Sequence, residues 1–119
     1  MYRIPSDLDL NTIIGEPITQ LRIGQYDIQF NIGNAHFSVW SPITLVKEGA
    51  VIGKWEEDRW PDPSFKDILN VNVVNFDIPN DRLIILYYEN RVEMHLEDSS
   101  DQFESMSISI EGETGPWII

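Results

Sequence analysis

The 119-residue chain contains no cysteine. That removes disulfides, thiolate metal sites and cysteine nucleophiles together, leaves packing alone to hold the fold, and fits a reducing compartment. Histidine is nearly as scarce, with only His36 and His95 to supply an imidazole. No apolar run approaches the roughly 18 residues of a membrane helix, and MYRIPSDLDL has no apolar stretch of the signal-peptide kind. A cytoplasmic protein without a membrane partner is therefore expected. Cations are few as well: eight Lys and Arg stand against 20 Asp and Glu, a net charge of −12. This balance disfavours nucleic acid and anionic lipid as partners, because each phosphate contact needs a cation.

What is present is a core and a one-signed field. Hydrophobic residues make up 42% of the chain, with four Trp, four Tyr and five Phe, which is ordinary for a globular protein and too much for a disordered one. The length suits one domain over residues 1–119. The acids are unevenly spread. Residues 64–119 hold eleven acids and three bases, and after Arg91 no Lys or Arg follows, whereas Glu93, Glu97, Asp98, Asp101, Glu104, Glu111 and Glu113 do.

An internal repeat organises the chain. DLNTIIGEPITQLRI (9–23) laid over SFKDILNVNVVNFDI (64–78) pairs Leu10 with Phe65, Ile13 with Ile68, Ile14 with Leu69, Ile18 with Val73, Leu21 with Phe76 and Ile23 with Ile78. One inserted residue near Pro79 then aligns Ile28, Phe30, Ile32 and Asn34 with Ile84, Leu86, Tyr88 and Asn90. Two copies make a repeat of domain halves, about 9–53 and 64–110, because solenoid arrays need at least three. Each unit opens on a short turn of helix, with Asp9 or Ser64 as the expected N-cap and Asp67 completing a capping box. Strands follow. Tyr26, Ile28, Phe30 and Ile32 alternate; RLIILYY (82–88) is apolar on both faces, as in a central strand; and Val92, Met94 and Leu96 alternate with Glu93, His95 and Glu97. Gly33-Asn34 and Glu89-Asn90 mark reversals where positive φ is tolerated. ITLV (43–46), AVIGKW (50–55), SMSISI (105–110) and the terminal WII complete the set. The expected fold is mainly β: two pseudo-symmetric antiparallel meanders forming a sandwich or a partly open barrel, with one or two short helices.

No constellation for catalysis is legible, and no enzyme is expected. Glu93, His95 and Glu97 share a strand face at spacing two, but an outward face of alternating Glu and His is ordinarily a solvated one. There is no Gly-x-Ser-x-Gly elbow, no Gly-rich phosphate loop and no glycine at the sixth position of DSSDQFE that a calcium loop requires. No metal or cofactor is expected. The feature that asks for a role is KWEEDRWPDP (54–63), too rich in proline for a helix or a central strand. Together with EDSSDQFE (97–104) it is expected to form one partner-binding face. Trp55 or Trp60 is its anchor, and Glu56, Glu57, Asp58, Glu97, Asp98, Asp101 and Glu104 supply its field.

IIGEPITQLRI (13–23), DIQFNI (27–32), RLIILYY (82–88) and FESMSISI (103–110) carry a resemblance to small bacterial two-unit β proteins, of a kind with the immunity proteins of toxin systems such as contact-dependent inhibition. The chain departs from that pattern at Asn70, where the first unit has Gly15. The resemblance implies a small cytoplasmic inhibitor that binds one cognate toxin domain, and the charge suits a basic, nuclease-like one. It supplies no site residues. The alternative is a small-molecule-binding β-barrel, or an accessory module without a toxin partner, with aromatics at its mouth.

Overall fold

Residues 3–119 are described by the structure, a computed structural model. Strands take 46% of the chain and helical turns 8%. In order they are β1 Arg22–Ile23, β2 Ile28–Ile32, β3 Ala35–Val39, β4 Ile43–Lys47, β5 Ala50–Trp55, β6 Val73–Asn80, β7 Leu83–Tyr88, β8 Val92–Glu97, β9 Met106–Ile110 and β10 Trp117–Ile118. Two 3₁₀ turns, η1 Asn11–Ile13 and η2 Pro63–Ile68, precede β1 and β6. Each half of the chain thus runs as one helical turn and then five strands.

The strands pair antiparallel in two five-stranded sheets, β1-β2-β3-β9-β10 and β5-β4-β8-β7-β6, packed as a sandwich. The last two strands of each half leave their own sheet and complete the other. Val39 faces Met106 and Ala35 faces Ile110 across β3 and β9; Ile43 faces Leu96 and Lys47 faces Val92 across β4 and β8. These are one pairing with the halves exchanged. Where the halves meet, Pro17 bridges Asn72 antiparallel, the Gly15 N–H donates to the Val73 carbonyl at 2.7 Å, and the Asn70 N–H donates to the Ile18 carbonyl at 2.8 Å. The last two bonds are the same bond made twice. Gly15 has φ 88° and Asn70 φ 62°, so both copies need the left-handed region, which Asn enters more readily than other side chains. That accounts for Asn70 in place of glycine.

Alternation decides which faces meet. Ile28, Phe30 and Ile32 of β2 and Ala35, Phe37 and Val39 of β3 are buried, as are Ile43, Leu45, Ile84, Leu86, Val92, Met94 and Leu96 in the opposite sheet. Phe30 and Phe37 lie opposite in register, their rings stacked at 5.0 Å. β7, between β6 and β8, is an interior strand, in keeping with the two apolar faces of RLIILYY.

Three local expectations are corrected. The N-cap of η2 is Asp62, with Pro63 in the first helical position; Ser64 lies inside the turn against Gly53, where a Cβ would come within 1.9 Å of its Oγ. Positive φ at the reversals falls on Gly33 and Arg91, not on the asparagines. Asn34 accepts a hydrogen bond from Thr12 instead, and the Asn90 amide donates to the Asp67 carbonyl at 2.8 Å, so each asparagine ties its hairpin to its own 3₁₀ turn. Tyr26 precedes β2 in an exposed loop and does not extend the strand's core face.

Candidate functional site

The antiparallel order brings five connections to one end of the sandwich: residues 24–27, 40–42, 56–62, 81–82 and 98–105. KWEEDRWPDP is ordered there by its own backbone. The Lys54 N–H donates to Asp62 Oδ2 at 2.9 Å, the Asp62 N–H returns to the Lys54 carbonyl at 3.2 Å, and the Asp58 N–H donates to the Gln25 carbonyl at 2.6 Å. Its first two residues end β5 and Pro63 opens η2, and residues 56–62 between them are a loop clamped at both ends, not a free flap.

A groove of about 570 Å³ opens at this end, lined by Trp40, Ser41 and Pro42, by Glu56 and Glu57, and by Ser99, Ser100, Phe103, Glu104 and Ser105. Residues of both acidic segments therefore line one groove. They do so across the loop that follows β3. Trp40 and Phe103, which the sequence does not mark as site residues, both line the groove, at 37% and 71% exposure. The signal in the sequence is a tryptophan at the parity opposite to the inward Phe37 and Val39.

The expected residues divide. Trp55 is fully buried at the end of β5, opposite Ile43, and is part of the core, so the anchor expected of it is corrected. Trp60 is 76% exposed and walls a second, smaller hollow of about 300 Å³ with Ile23, Gly24, Gln25, Asp58 and Arg59. Asp98, expected on the field, is 2% exposed and faces inward. Its Oδ1 accepts from the Ser105 hydroxyl at 2.7 Å and its Oδ2 pairs with Arg3 at 3.1 Å. A buried carboxylate is kept only with such partners. Asp101 is exposed but bridged to both Arg82 and Arg3, and the hydrogen bond and charge of Arg82, then those of Arg3, hold its carboxyl below the usual range. Asp98 and Asp101 thus fasten the loop after β8 to residues 3 and 82 and add little outward field. Glu56 stands 3.8 Å from Arg59, and Asp62 pairs with the same guanidinium at 3.1 Å. Glu57 and Glu104 have no cationic partner among the described residues and line the groove. Glu97 is exposed at the end of β8, outside the groove lining.

The outward faces hold the two imidazoles. His95 Nε2 lies 3.0 Å from Glu93 Oε1, and no hydrogen bond or ion pair joins the Glu97 side chain to either among the described residues. His36 sits among Arg22, Asn31 and Ser38, each at 3.3 Å. Partial burial, and then the Arg22 charge, pull its pKa below the ordinary 6.5. Among the described residues no group of three or more His, Asp or Glu gathers to hold a metal ion, and no helix is long and apolar enough to cross a membrane.

Comparison with protein-family models, with curated proteins and with solved structures gives no match.

Proposed function

We propose that the protein is an interaction protein of the immunity type, which binds a basic partner domain, a nuclease-like toxin domain in the first instance, and covers its cationic active-site groove. The observation that carries this reading is the convergence of residues 54–63 and 97–104 on one end of the sandwich, where Glu56, Glu57 and Glu104 frame a groove walled by Trp40 and Phe103. A net charge of −12 supplies the long-range field. Charge of this kind steers association and excludes wrong partners, while partly exposed aromatic rings supply area that gains on desolvation. A ligand-binding barrel is less well supported, because the inward side chains of the two sheets fill the interior.

The test is capture from native lysate on the immobilised protein at low salt, release by rising salt, and assay of what is released. The expected result is a basic protein whose activity falls when one equivalent of this chain is restored. Glu57→Gln with Glu104→Gln should slow its association and flatten the salt dependence, with dissociation changed less. A retained partner that is acidic or neutral, or an association rate untouched by the double neutralisation, overturns the proposal.

A further inference from the structure

The groove carries a feature that its acidity does not explain. Ser41, between Trp40 and Pro42, is among the lining residues at 5% exposure, and its buried hydroxyl has no hydrogen-bond partner among the described residues. A hydroxyl withheld from water and left unpaired is destabilising, and cores usually avoid that by placing alanine or a partner there. Its neighbour Ser105, also on the groove, gives its proton to Asp98 at 2.7 Å. Ser41 has no such outlet.

We infer that the groove is a seat for one arginine side chain of the partner, with Ser41 Oγ as a hydrogen-bond acceptor. The inference deepens the proposed function and rests on its reading of a basic protein partner. The surroundings select the cation. Trp40 and Phe103 present aromatic surface to the groove, and Glu57 and Glu104 stand on its rim without a cationic partner among the described residues; no Lys or Arg of those residues lines it. A metal ion would need carboxylates gathered within bonding distance, and the described residues do not provide that. A quaternary ammonium would use the rings but could donate nothing to Ser41 or to the glutamates. A lysine ammonium can donate, but it is a compact, strongly hydrated charge. The guanidinium alone joins a flat face that stacks on aromatic rings to five in-plane donors that reach a hydroxyl and carboxylates together. Ser41 Oγ is closed to solvent in the free chain, so the seat requires the Ser41 side chain to turn toward the groove when a guanidinium enters. A volume of about 570 Å³ also leaves space for the backbone turn that presents the side chain.

The experiment is a titration of the whole chain, followed by ¹H–¹⁵N chemical shifts, with N-acetyl-arginine amide, N-acetyl-lysine amide and the neutral isostere N-acetyl-citrulline amide. The arginine compound should give saturable shifts centred on the Trp40 indole and the Ser41 and Phe103 amides, and bind at least about fivefold tighter than citrulline amide, the scale of one charge-assisted bond at a partly exposed site. Ser41→Ala should weaken it by a similar factor with folding intact, since it removes an unpaired buried hydroxyl, and Ser41→Thr should restore part of the loss. Equal binding of citrulline and arginine amides overturns the seat, and so do shifts scattered over all exposed carboxylates, Glu111 and Glu113 included. If Ser41→Ala fails to fold, the citrulline comparison on the unaltered chain decides alone. Failure of the seat and failure of the partner reading are separable. A basic partner that is captured and inhibited while arginine amide ignores the groove removes only the seat; arginine amide seated as described, with no basic partner retained, removes only the immunity reading.

Discussion

Two tryptophans five positions apart do opposite things: Trp55 ends β5 and Trp60 lies in the loop that follows, and a single extra residue in β5 sets the inward parity of Trp55. β5 pairs Trp55 with Ile43 and Gly53 with Leu45, but then Val51 with Val46, so Ile52 is bulged out of register. Residues 53 and 55 face the core, while Val51, of the same parity, is thrown outward at 57% exposure. The sequence offers Trp55 and Trp60 as equal candidates because both flank the same acid cluster, and a bulge leaves no mark in a hydrophobicity pattern that would separate them. Trp55→Ala should cost about 3–5 kcal/mol of stability in denaturant unfolding. Trp60→Ala should stay within about 0.5 kcal/mol and act, if at all, on binding. His36 allows a second test at this scale. Its folded pKa lies below the ordinary 6.5, so the unfolded chain takes up the proton first, and the stability due to neutral His36 is present above that value and lost as pH falls through the folded pKa. An NMR titration should place its midpoint below 6.5, and Arg22→Gln should raise it, because one of the two causes is removed.

At the scale of elements, the repeat was legible because apolar positions at a fixed offset survive any change on the surface. Ile28 and Ile84 sit at equivalent places on β2 and β7, both fully buried. Alanine at either should destabilise by about 2–5 kcal/mol, and a neutral result at one would break the equivalence. The backbone conformations were less legible, since φ is written in the sequence only through glycine. Asn70 shows this: the Asn–Gly mismatch read as a departure, yet Asn70 and Gly15 share the left-handed region and an equivalent hydrogen bond. Asn70→Gly should be neutral or slightly stabilising, and Asn70→Ala should cost about 1–2 kcal/mol, a contrast that thermal unfolding of the two variants resolves. The groove was half legible. Acid clusters are visible in a string, whereas the fold decides that Asp98 turns inward and that Trp40, 14 positions before Lys54 and 57 before Glu97, joins them. The site also falls where the halves cease to match. The connection after β3 is Trp40 to Pro42, and its counterpart after β8 runs from Asp98 to Ser105; the added length is the groove's far wall.

For the whole molecule, four strands end the two sheets, and each is blunted. β1 and β10 have two residues apiece, β5 is bulged and carries Lys54, and β6 is irregular in register and bears Asn75, Asp77 and Pro79. Such edges resist pairing with a second chain. The exchange of strand pairs between sheets bears instead on how the chain acquires its shape. Phe37 must find Ile108, about 70 residues later, and loop closure over that span is unfavourable until the contact is made, so folding on the scale of milliseconds to seconds is expected for this topology. Stopped-flow refolding followed by tryptophan emission measures it, and a microsecond phase carrying the full amplitude would contradict the cross-sheet pairing. Synthesis imposes the same order of events. While a ribosome has delivered β1 to β8, the second sheet has all its strands, but β3 waits with an open, apolar edge until β9 emerges. During that interval the nascent chain is at its most vulnerable to misassociation. A chain ended before Met106 should therefore sediment as aggregate, although it retains eight of the ten strands.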